Sequence, residues 1–217
     1  MAGYTLVIGN KNYSSWSLRP WLLMRHAGIA FNEVRIPLRQ PDTAARIREY
    51  SPTGRVPVLR AGALTVWHSL AIAEFLAERY PERVLWPKDA NARAIARSAS
   101  AEMHSGFQAL RGRMPMHCRA RLPGVGRNPE VLADIARITS LWRDCRARYG
   151  ADGPFLFGGF SIADAMFAPV VLRFLTYEVE LDAVCGSYCA ATLALPSLRQ
   201  WLDEALAETE VIAEYEP

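Results

Sequence analysis

The sequence has very little lysine and no clustered positive charge. Only two of its 25 basic residues, Lys11 and Lys88, are lysines, and the arginines are scattered among acidic residues. The net charge is only +3, so the chain lacks the basic patch that nucleic-acid binding requires. We therefore expect no nucleic-acid partner, and a shift in genome composition would give the same arginine bias.

Long apolar runs and paired cysteines are also missing. The apolar stretch at 4–8 is too short for a signal peptide, and no run reaches the roughly 20 residues of a membrane span. The four cysteines form no C-x-x-C pair and all lie in the second half of the chain. Without a secretory signal they are typical of reduced thiols. These features predict a cytoplasmic protein with no membrane partner.

Several catalytic motifs are absent. The sequence contains no G-x-x-x-x-G-K-[ST] phosphate loop, no H-E-x-x-H and no G-x-S-x-G elbow. Its four histidines show no metal-ligand spacing, so we expect no metal site. Ser14 has no such elbow and no evident His or Asp partner, which disfavours a serine hydrolase.

The order of predicted elements changes between the two halves of the chain. Periodicity predicts β-α-β-α-β-β-α first, with strands at 4–8, 31–38, 56–60 and 64–67 and helices at 16–26, 41–50 and 69–79. The second half is helical, at 89–112, 128–149, 161–175 and 196–208, with 177–192 ambiguous. We expect an α/β domain at 1–83, a proline- and charge-rich linker at 84–92 and an all-helical domain at 93–217.

Two serines, Ser14 and Ser15, directly precede the first helix in the sequence SSWS. Serine is a favourable N-cap, worth about 1 kcal/mol, and capping alone would explain the pair. A helix N-terminus that follows a strand is also an anion site, where a serine hydroxyl could donate to a thiolate.

A proline opens the third strand in GRVPVL. Pro57 cannot donate to a sheet ladder, so it is either an ordinary trans proline at a strand start or a cis proline. The cis form would leave the main chain of Val56 free to pair with an extended peptide.

His68 and Ser69 lie between the fourth strand and the next helix in VWHSLAIAEFLAE. Ser69 is placed as an N-cap. It could instead bind a carboxylate together with the amides of that helix N-terminus.

In this order, and followed by a helical domain, the motifs SSWS, GRVPVL, HSLAIAEFL and FSIADAMFAPV resemble the glutathione S-transferase family over essentially the whole chain. The serine pair is similar to that of zeta-like bacterial members, although Trp16 stands where the zeta class has cysteine. The arginine that this class uses for acidic substrates falls on Thr176, with Arg173 one turn earlier. Ser161 and Asp164 resemble the family's capping box, a structural motif.

The resemblance implies a thioredoxin-like domain followed by an α-helical bundle, in a homodimeric detoxification enzyme with glutathione as cosubstrate. The thiol would face Ser14, with Ser15 as a second donor. Other glutathione contacts would be Gln40, Val56, Pro57, His68, Ser69 and Gln108. A small hydrophobic electrophile would lie against Trp16, His104, Phe107 and Arg111. For Phe107 the helical spacing with Met103 and Leu110 also fits a place in the core, and both interpretations stay open.

The expected activity is glutathione transfer, with the thiolate stabilised by a hydroxyl hydrogen bond at a helix N-terminus. Two alternatives remain. One is a glutathione-dependent isomerase, lyase or peroxidase that uses the same thiolate. The other is a non-catalytic binding module, because His68 replaces the acidic or amide residue usual in the family.

Overall fold

The first half of the chain forms a four-stranded mixed sheet with three helices. A computed structural model describes residues 3–216, and its first elements are β1 (Tyr4–Ile8), α1 (Ser15–His26), β2 (Phe31–Arg35), α2 (Thr43–Arg48), β3 (Val58–Ala61), β4 (Leu64–Trp67) and α3 (Ser69–Arg79). The strand order is β2-β1-β3-β4. β1 pairs parallel with β2 and antiparallel with β3. This arrangement confirms the predicted β-α-β-α-β-β-α order and the thioredoxin-like fold class.

Three elements of this half are shorter than the sequence predicts, and one of them is the third strand, predicted at 56–60 and observed as β3 at Val58–Ala61. β2 ends at Arg35 instead of residue 38 because Pro37 follows and carries no N–H for the ladder. α2 begins at Thr43 instead of residue 41, since the Thr43 hydroxyl donates to the Pro37 carbonyl oxygen (2.7 Å) and holds the preceding turn.

The second half is mainly helical and contains α4 (Ala90–Ser105), α5 (Gln108–Arg113), α6 (Pro129–Tyr149), α7 (Ile162–Thr176), α8 (Ala183–Leu193) and α9 (Pro196–Ala207). The ambiguous stretch at 177–192 forms most of α8. The prediction of a single helix over 89–112 is wrong. The chain breaks between α4 and α5, where Phe107 adopts the left-handed φ of 59°, which no helix interior accommodates.

α7 is the central helix of the molecule and joins the two halves. Nearly all of its residues are buried, and it packs against α1 and α4. The expected capping box at its start is confirmed. Asp164 Oδ2 accepts from the Ser161 N–H (2.8 Å) and hydroxyl (2.9 Å), and its Oδ1 accepts from the Leu156 N–H (3.0 Å). Because α1 packs on α7, the serines that open α1 lie near side chains of the helical half.

Three structural features bear on the expectations for a membrane span, a metal site and the cysteines. Within residues 3–216, no helix combines the length and apolarity that crossing a bilayer requires. The same residues bring together no group of three His, Cys, Asp or Glu side chains suited to a metal ion. All four cysteines are free and buried.

Candidate active site

The main cleft of about 480 Å³ lies between the two halves of the chain. The residues that line it come from both halves: Tyr13, Ser14, Ser15, Trp16, Leu38, Arg39, Thr43, Ile47, Gly54, Arg55, Val56, Arg111, Pro115, Met116, Arg173 and Tyr215. Four of these residues are arginines, and none of the described lining residues is Asp or Glu. Arg39 pairs with Glu214 (3.2 Å), and the other three arginines give the cleft an excess of positive charge.

Ser14 lines the cleft but does not act as a side-chain cap. Its hydroxyl donates to Ser17 Oγ (2.7 Å), which also accepts from the Gly9 N–H (3.0 Å). Ser14 stands at the N-cap position of α1, yet its side chain makes no hydrogen bond to the amides of the first turn. The side-chain bond that the capping interpretation requires is thus absent among the described residues, and the N-terminus of α1 faces the cleft without a side-chain cap.

Ser15 is in contact with the helical half through Arg173. The Arg173 Nη2 donates to Ser15 Oγ (3.3 Å), while its Nε and Nη1 donate to the carbonyl oxygens of Met114 (2.8 Å) and Pro169 (3.3 Å). Arg173 is only 4% exposed. Burial, with added repulsion from Arg111, lowers the pKa of the Arg173 guanidinium to about 10. The group is still a cation at neutral pH.

Trp16 lies beside two guanidinium groups and one imidazole. Its ring centre is 4.3 Å from the guanidinium carbon of Arg19 and 4.7 Å from that of Arg111. The His104 ring meets it edge-on at 5.1 Å, and the His68 ring lies 6.1 Å from His104. Burial, followed by repulsion from Arg19, lowers the pKa of His104. His104 is therefore neutral at pH 7, and Trp16 supplies an aromatic face beside cations.

Val56 lies on the cleft wall just before β3. The Val56–Pro57 peptide bond is cis, one of the two forms that the sequence allowed. Val56 lies two residues before the first paired residue of β3, outside the sheet ladder. Pro57, the next residue, is buried.

Ser69 is the first residue of α3, and the N-cap position belongs to His68, which corrects the prediction that Ser69 caps this helix. His68 is exposed and adopts a positive φ of 67°. Ser69 is fully buried, and its Oγ has no hydrogen-bond partner within residues 3–216. A buried hydroxyl without a partner costs free energy, and a ligand at this helix N-terminus would supply the missing bond.

Seven expected contacts do not line the cleft, namely Gln40, Pro57, His68, Ser69, His104, Phe107 and Gln108. Gln40 is exposed, and its main-chain N–H donates to Thr43 Oγ1. Gln108 is exposed at the start of α5, where its amide donates to the Ser105 carbonyl oxygen. Phe107 packs in the main hydrophobic core, because the break between α4 and α5 turns its side chain inward. Of the two interpretations of Phe107, the structure therefore supports the place in the core.

Other cleft residues were not predicted from the sequence. Arg39 and Arg55 lie at the cleft, but as members of a general arginine excess they carried no specific signal. Tyr215 reaches the cleft from the C-terminal segment (residues 208–216), and its ring lies 5.7 Å from that of Tyr13. The same segment fixes the loop before Ser14, since the Glu208 carboxylate accepts from the N–H groups of Lys11 (2.7 Å) and Asn12 (3.0 Å).

The fold and this cleft agree with comparisons to known proteins. The chain is 35% identical to maleylacetoacetate isomerase of Mus musculus and 30% identical to that of Rattus norvegicus, over 77% of this chain and 76% of each of theirs. A probable maleylacetoacetate isomerase of Caenorhabditis elegans is 32% identical over 44% of both chains.

Solved structures show the same fold. A glutathione transferase homolog from Burkholderia, with bound glutathione, superposes with a TM-score of 0.71 at 23% identity and covers 94% of this chain and 98% of its own. Residues 13–79 match the profile of the glutathione S-transferase N-terminal domain, and residues 92–204 match that of the C-terminal domain. The chain belongs to the glutathione S-transferase family.

Proposed function

We propose that the protein is a glutathione transferase that binds glutathione as a thiolate at the start of α1. The observation that carries this proposal is a serine pair at a helix N-terminus without a side-chain cap, in a cleft whose charged side chains are all arginines. The thiolate would form a carbon–sulfur bond to an electrophile. The leaving group would depart with its bonding electrons, and the thiol proton would pass to solvent.

The free energy required is modest. A thiol with a pKa near 8.5 is mostly protonated at pH 7, and lowering that pKa by two units takes about 2.7 kcal/mol. A hydroxyl bond to a charged acceptor supplies about 1.5–3 kcal/mol, and a helix N-terminus adds about 0.3–1 kcal/mol. No general base in the protein is needed.

The Ser14 hydroxyl can turn from Ser17 to the thiolate at little cost. A hydrogen bond to a charged sulfur is stronger than one to a neutral hydroxyl, and Ser17 Oγ retains its bond from the Gly9 N–H (3.0 Å). Ser15 would be the second donor, since its oxygen accepts from Arg173 and its own hydrogen remains available.

The rest of glutathione would extend over the sheet. Its γ-glutamyl carboxylate would accept from Ser69 Oγ at the start of α3, and its cysteine main chain would pair with Val56. Support for both contacts comes from the partnerless hydroxyl of Ser69 and from the position of Val56 outside the ladder. The exposed Gln40 and Gln108 would need to move to take part.

A second candidate is a glutathione-dependent isomerase acting on an unsaturated acid. The arginines of the cleft favour an anionic electrophile over a purely hydrophobic one, and several relatives, among them those of mouse and rat, bear the name maleylacetoacetate isomerase. The thiolate would add to a carbon of a conjugated cis double bond, and rotation would follow about the resulting single bond. Elimination would then restore the double bond in trans and release the thiolate.

One set of measurements tests both candidates and the binding-module alternative. The protein is passed over glutathione resin and then assayed with glutathione plus a chlorodinitrobenzene-type electrophile, a peroxide and a conjugated cis-enoic keto acid. Conjugation of the first supports the transferase, and isomerisation of the acid supports the second candidate. Retention without any turnover indicates the binding module, whereas failure to bind glutathione overturns the proposal.

We also propose that the protein is a cytoplasmic homodimer, as the family resemblance implies. Light scattering at several concentrations would give a mass of about twice 24.2 kDa for a dimer, and cell fractionation would locate it. A mass of one chain at all concentrations would contradict the dimer.

A further inference from the structure

Arg173 is a buried cation with no acidic partner. Its guanidinium is held in place by two main-chain carbonyl oxygens and Ser15 Oγ, and no carboxylate within residues 3–216 forms an ion pair with it. Burying a charge without a counter-charge is costly, because the group loses its hydration and gains no opposite charge in return. Such a cost is offset when an anion binds nearby.

The charged and titratable groups that face Arg173 among the described residues are arginines, a cysteine and tyrosines, not carboxylates. Facing it are Arg19 from α1, Arg111 from α5, Cys118 from the loop after α5, Tyr177 at the end of α7 and Tyr215 from the C-terminal segment. The two arginines repel Arg173. Burial raises the pKa of both Cys118, to about 12, and Tyr177, so neither supplies a counter-charge at pH 7.

The contact that Arg173 makes on the cleft side is with Ser15. Because Arg173 donates to Ser15 Oγ, that oxygen is occupied as an acceptor and its hydrogen is directed elsewhere. A hydroxyl that accepts from a cation is also a stronger donor, since each bond in a chain polarises the next. Ser15 opens α1 on the cleft wall, next to the candidate thiolate site.

We infer that Arg173 is a positioning residue that acts through Ser15 to lower the pKa of the thiol of bound glutathione. The inference rests on the proposed glutathione site. Arg173 fixes the Ser15 hydroxyl as a donor towards the sulfur and places a permanent positive charge behind it. The anion that offsets the burial of Arg173 is then the thiolate itself.

The test is the pKa of the bound thiol, measured by titrating the ultraviolet absorbance of the thiolate in the glutathione complex. Arg173→Gln is expected to raise this pKa by about one unit, which lowers the ratio of thiolate to thiol about tenfold at a given pH. Arg173→Lys keeps the charge and is expected to retain part of the shift. Ser15→Ala is expected to raise the pKa by a similar amount, while Arg173 still makes its contacts to the two carbonyls.

A double variant distinguishes an effect of Arg173 on the thiol pKa that passes through Ser15 from an effect that is independent of Ser15. If Arg173 acts through Ser15, then Ser15→Ala/Arg173→Gln raises the pKa by little more than either single change. Additive shifts would overturn the coupling. An unchanged pKa in folded Arg173→Gln, or in both Ser15→Ala and Arg173→Lys if the glutamine variant does not fold, would overturn the inference.

Arg146→Gln is the matched control. Arg146 is also partly buried in the helical half and donates to main-chain carbonyls, those of Gly150, Gly153 and Phe155, but it does not line the cleft. Its loss is expected to lower stability and leave the thiol pKa unchanged. Failure of the unaltered protein to bind glutathione in calorimetry would overturn the proposed function itself. Binding with an unshifted pKa in the variants would overturn only the role of Arg173.

Discussion

The guanidinium carbon of Arg111 lies 4.7 Å from the ring centre of Trp16, so the aromatic wall of the cleft carries a fixed positive charge. Two main-chain carbonyls of α4, those of Met103 and His104, hold the guanidinium in this position. Arg111 is the clearest candidate for contact with an anionic electrophile.

Removing the positive charge of Arg111 is expected to lower kcat/KM for acidic substrates more than for neutral ones. Arg111→Leu should lower kcat/KM for an anionic electrophile about tenfold to a hundredfold, the value of a hydrogen bond to a charged group, and affect a neutral electrophile much less. Steady-state kinetics with a matched pair of electrophiles would measure this. Arg113→Leu, on the same helix but outside the cleft, is the control. Equal losses on both substrates would contradict a role in charge recognition.

Ser14→Ala is expected to reduce turnover more than glutathione affinity. The hydroxyl would contact only the thiolate, so kcat should fall about tenfold to a hundredfold while the Kd of glutathione changes little. Calorimetry gives the Kd and an initial-rate assay gives kcat. Ser98→Ala, which removes an exposed hydroxyl on α4, should change neither. Unchanged activity in Ser14→Ala would mean that Ser15 carries the role alone.

Ser69→Ala is expected to weaken glutathione binding without weakening the fold. In the unliganded protein the Ser69 hydroxyl has no partner within residues 3–216, so its removal breaks no bond of the protein. The loss of a bond to a carboxylate should raise the Kd about tenfold. Urea unfolding and calorimetry test the two halves of this prediction. Ser100→Ala provides the opposite pattern, because its buried hydroxyl donates to the Ala96 carbonyl oxygen (2.7 Å) and lies outside the cleft. A large stability loss in Ser69→Ala would show that the hydroxyl serves the fold.

Asp164 gives a prediction about pH. Burial raises the pKa of its carboxyl from 3.8 to about 6, against the opposing effect of its hydrogen bonds. Between pH 6 and pH 4 the folded protein therefore holds a proton at Asp164 that the unfolded chain releases. The contribution of Asp164 to the unfolding free energy is complete below its pKa in the unfolded chain, 3.8, and is lost as the pH rises through its folded pKa of about 6.

Asp164→Asn should remove this dependence. The unfolding free energy of the unaltered protein minus that of Asp164→Asn should increase by up to about 3 kcal/mol as the pH falls from 7 to 4. Two pKa units correspond to about that amount. Urea titrations at the two pH values measure the gap, and contributions from other carboxylates cancel in the difference. A gap that stays constant or shrinks towards pH 4 would contradict the buried, proton-binding state of Asp164.

The sequence predicts those features that local spacing determines. The β-α-β-α-β-β-α order follows from apolar periodicity, and the Ser161–Asp164 cap follows from a three-residue spacing. The break at Phe107 was missed because apolar residues keep a helical spacing through it, and Gly106 alone was too weak a signal. A Cβ at Gly106 would lie 2.8 Å from the Glu102 carbonyl oxygen, a constraint that appears only once the chain has folded.

The electrostatics of the cleft could not be predicted in the same way. The contact between Arg173 and Ser15 joins residues 158 positions apart on two helices, and it depends on how α1 packs on α7. In the sequence, Arg173 cannot be told apart from the exposed arginines. What distinguishes it in the fold is its burial, with no ion pair to a carboxylate among the described residues.

The C-terminal segment has a practical consequence for handling the protein. Residues 208–216 bind the loop at 11–13 through Glu208 and place Tyr215 on the wall of the cleft. A change that displaces this segment would release the Glu208 contacts to that loop and move Tyr215 away from the cleft wall. An intact segment at 208–216 is therefore a condition for every kinetic comparison above.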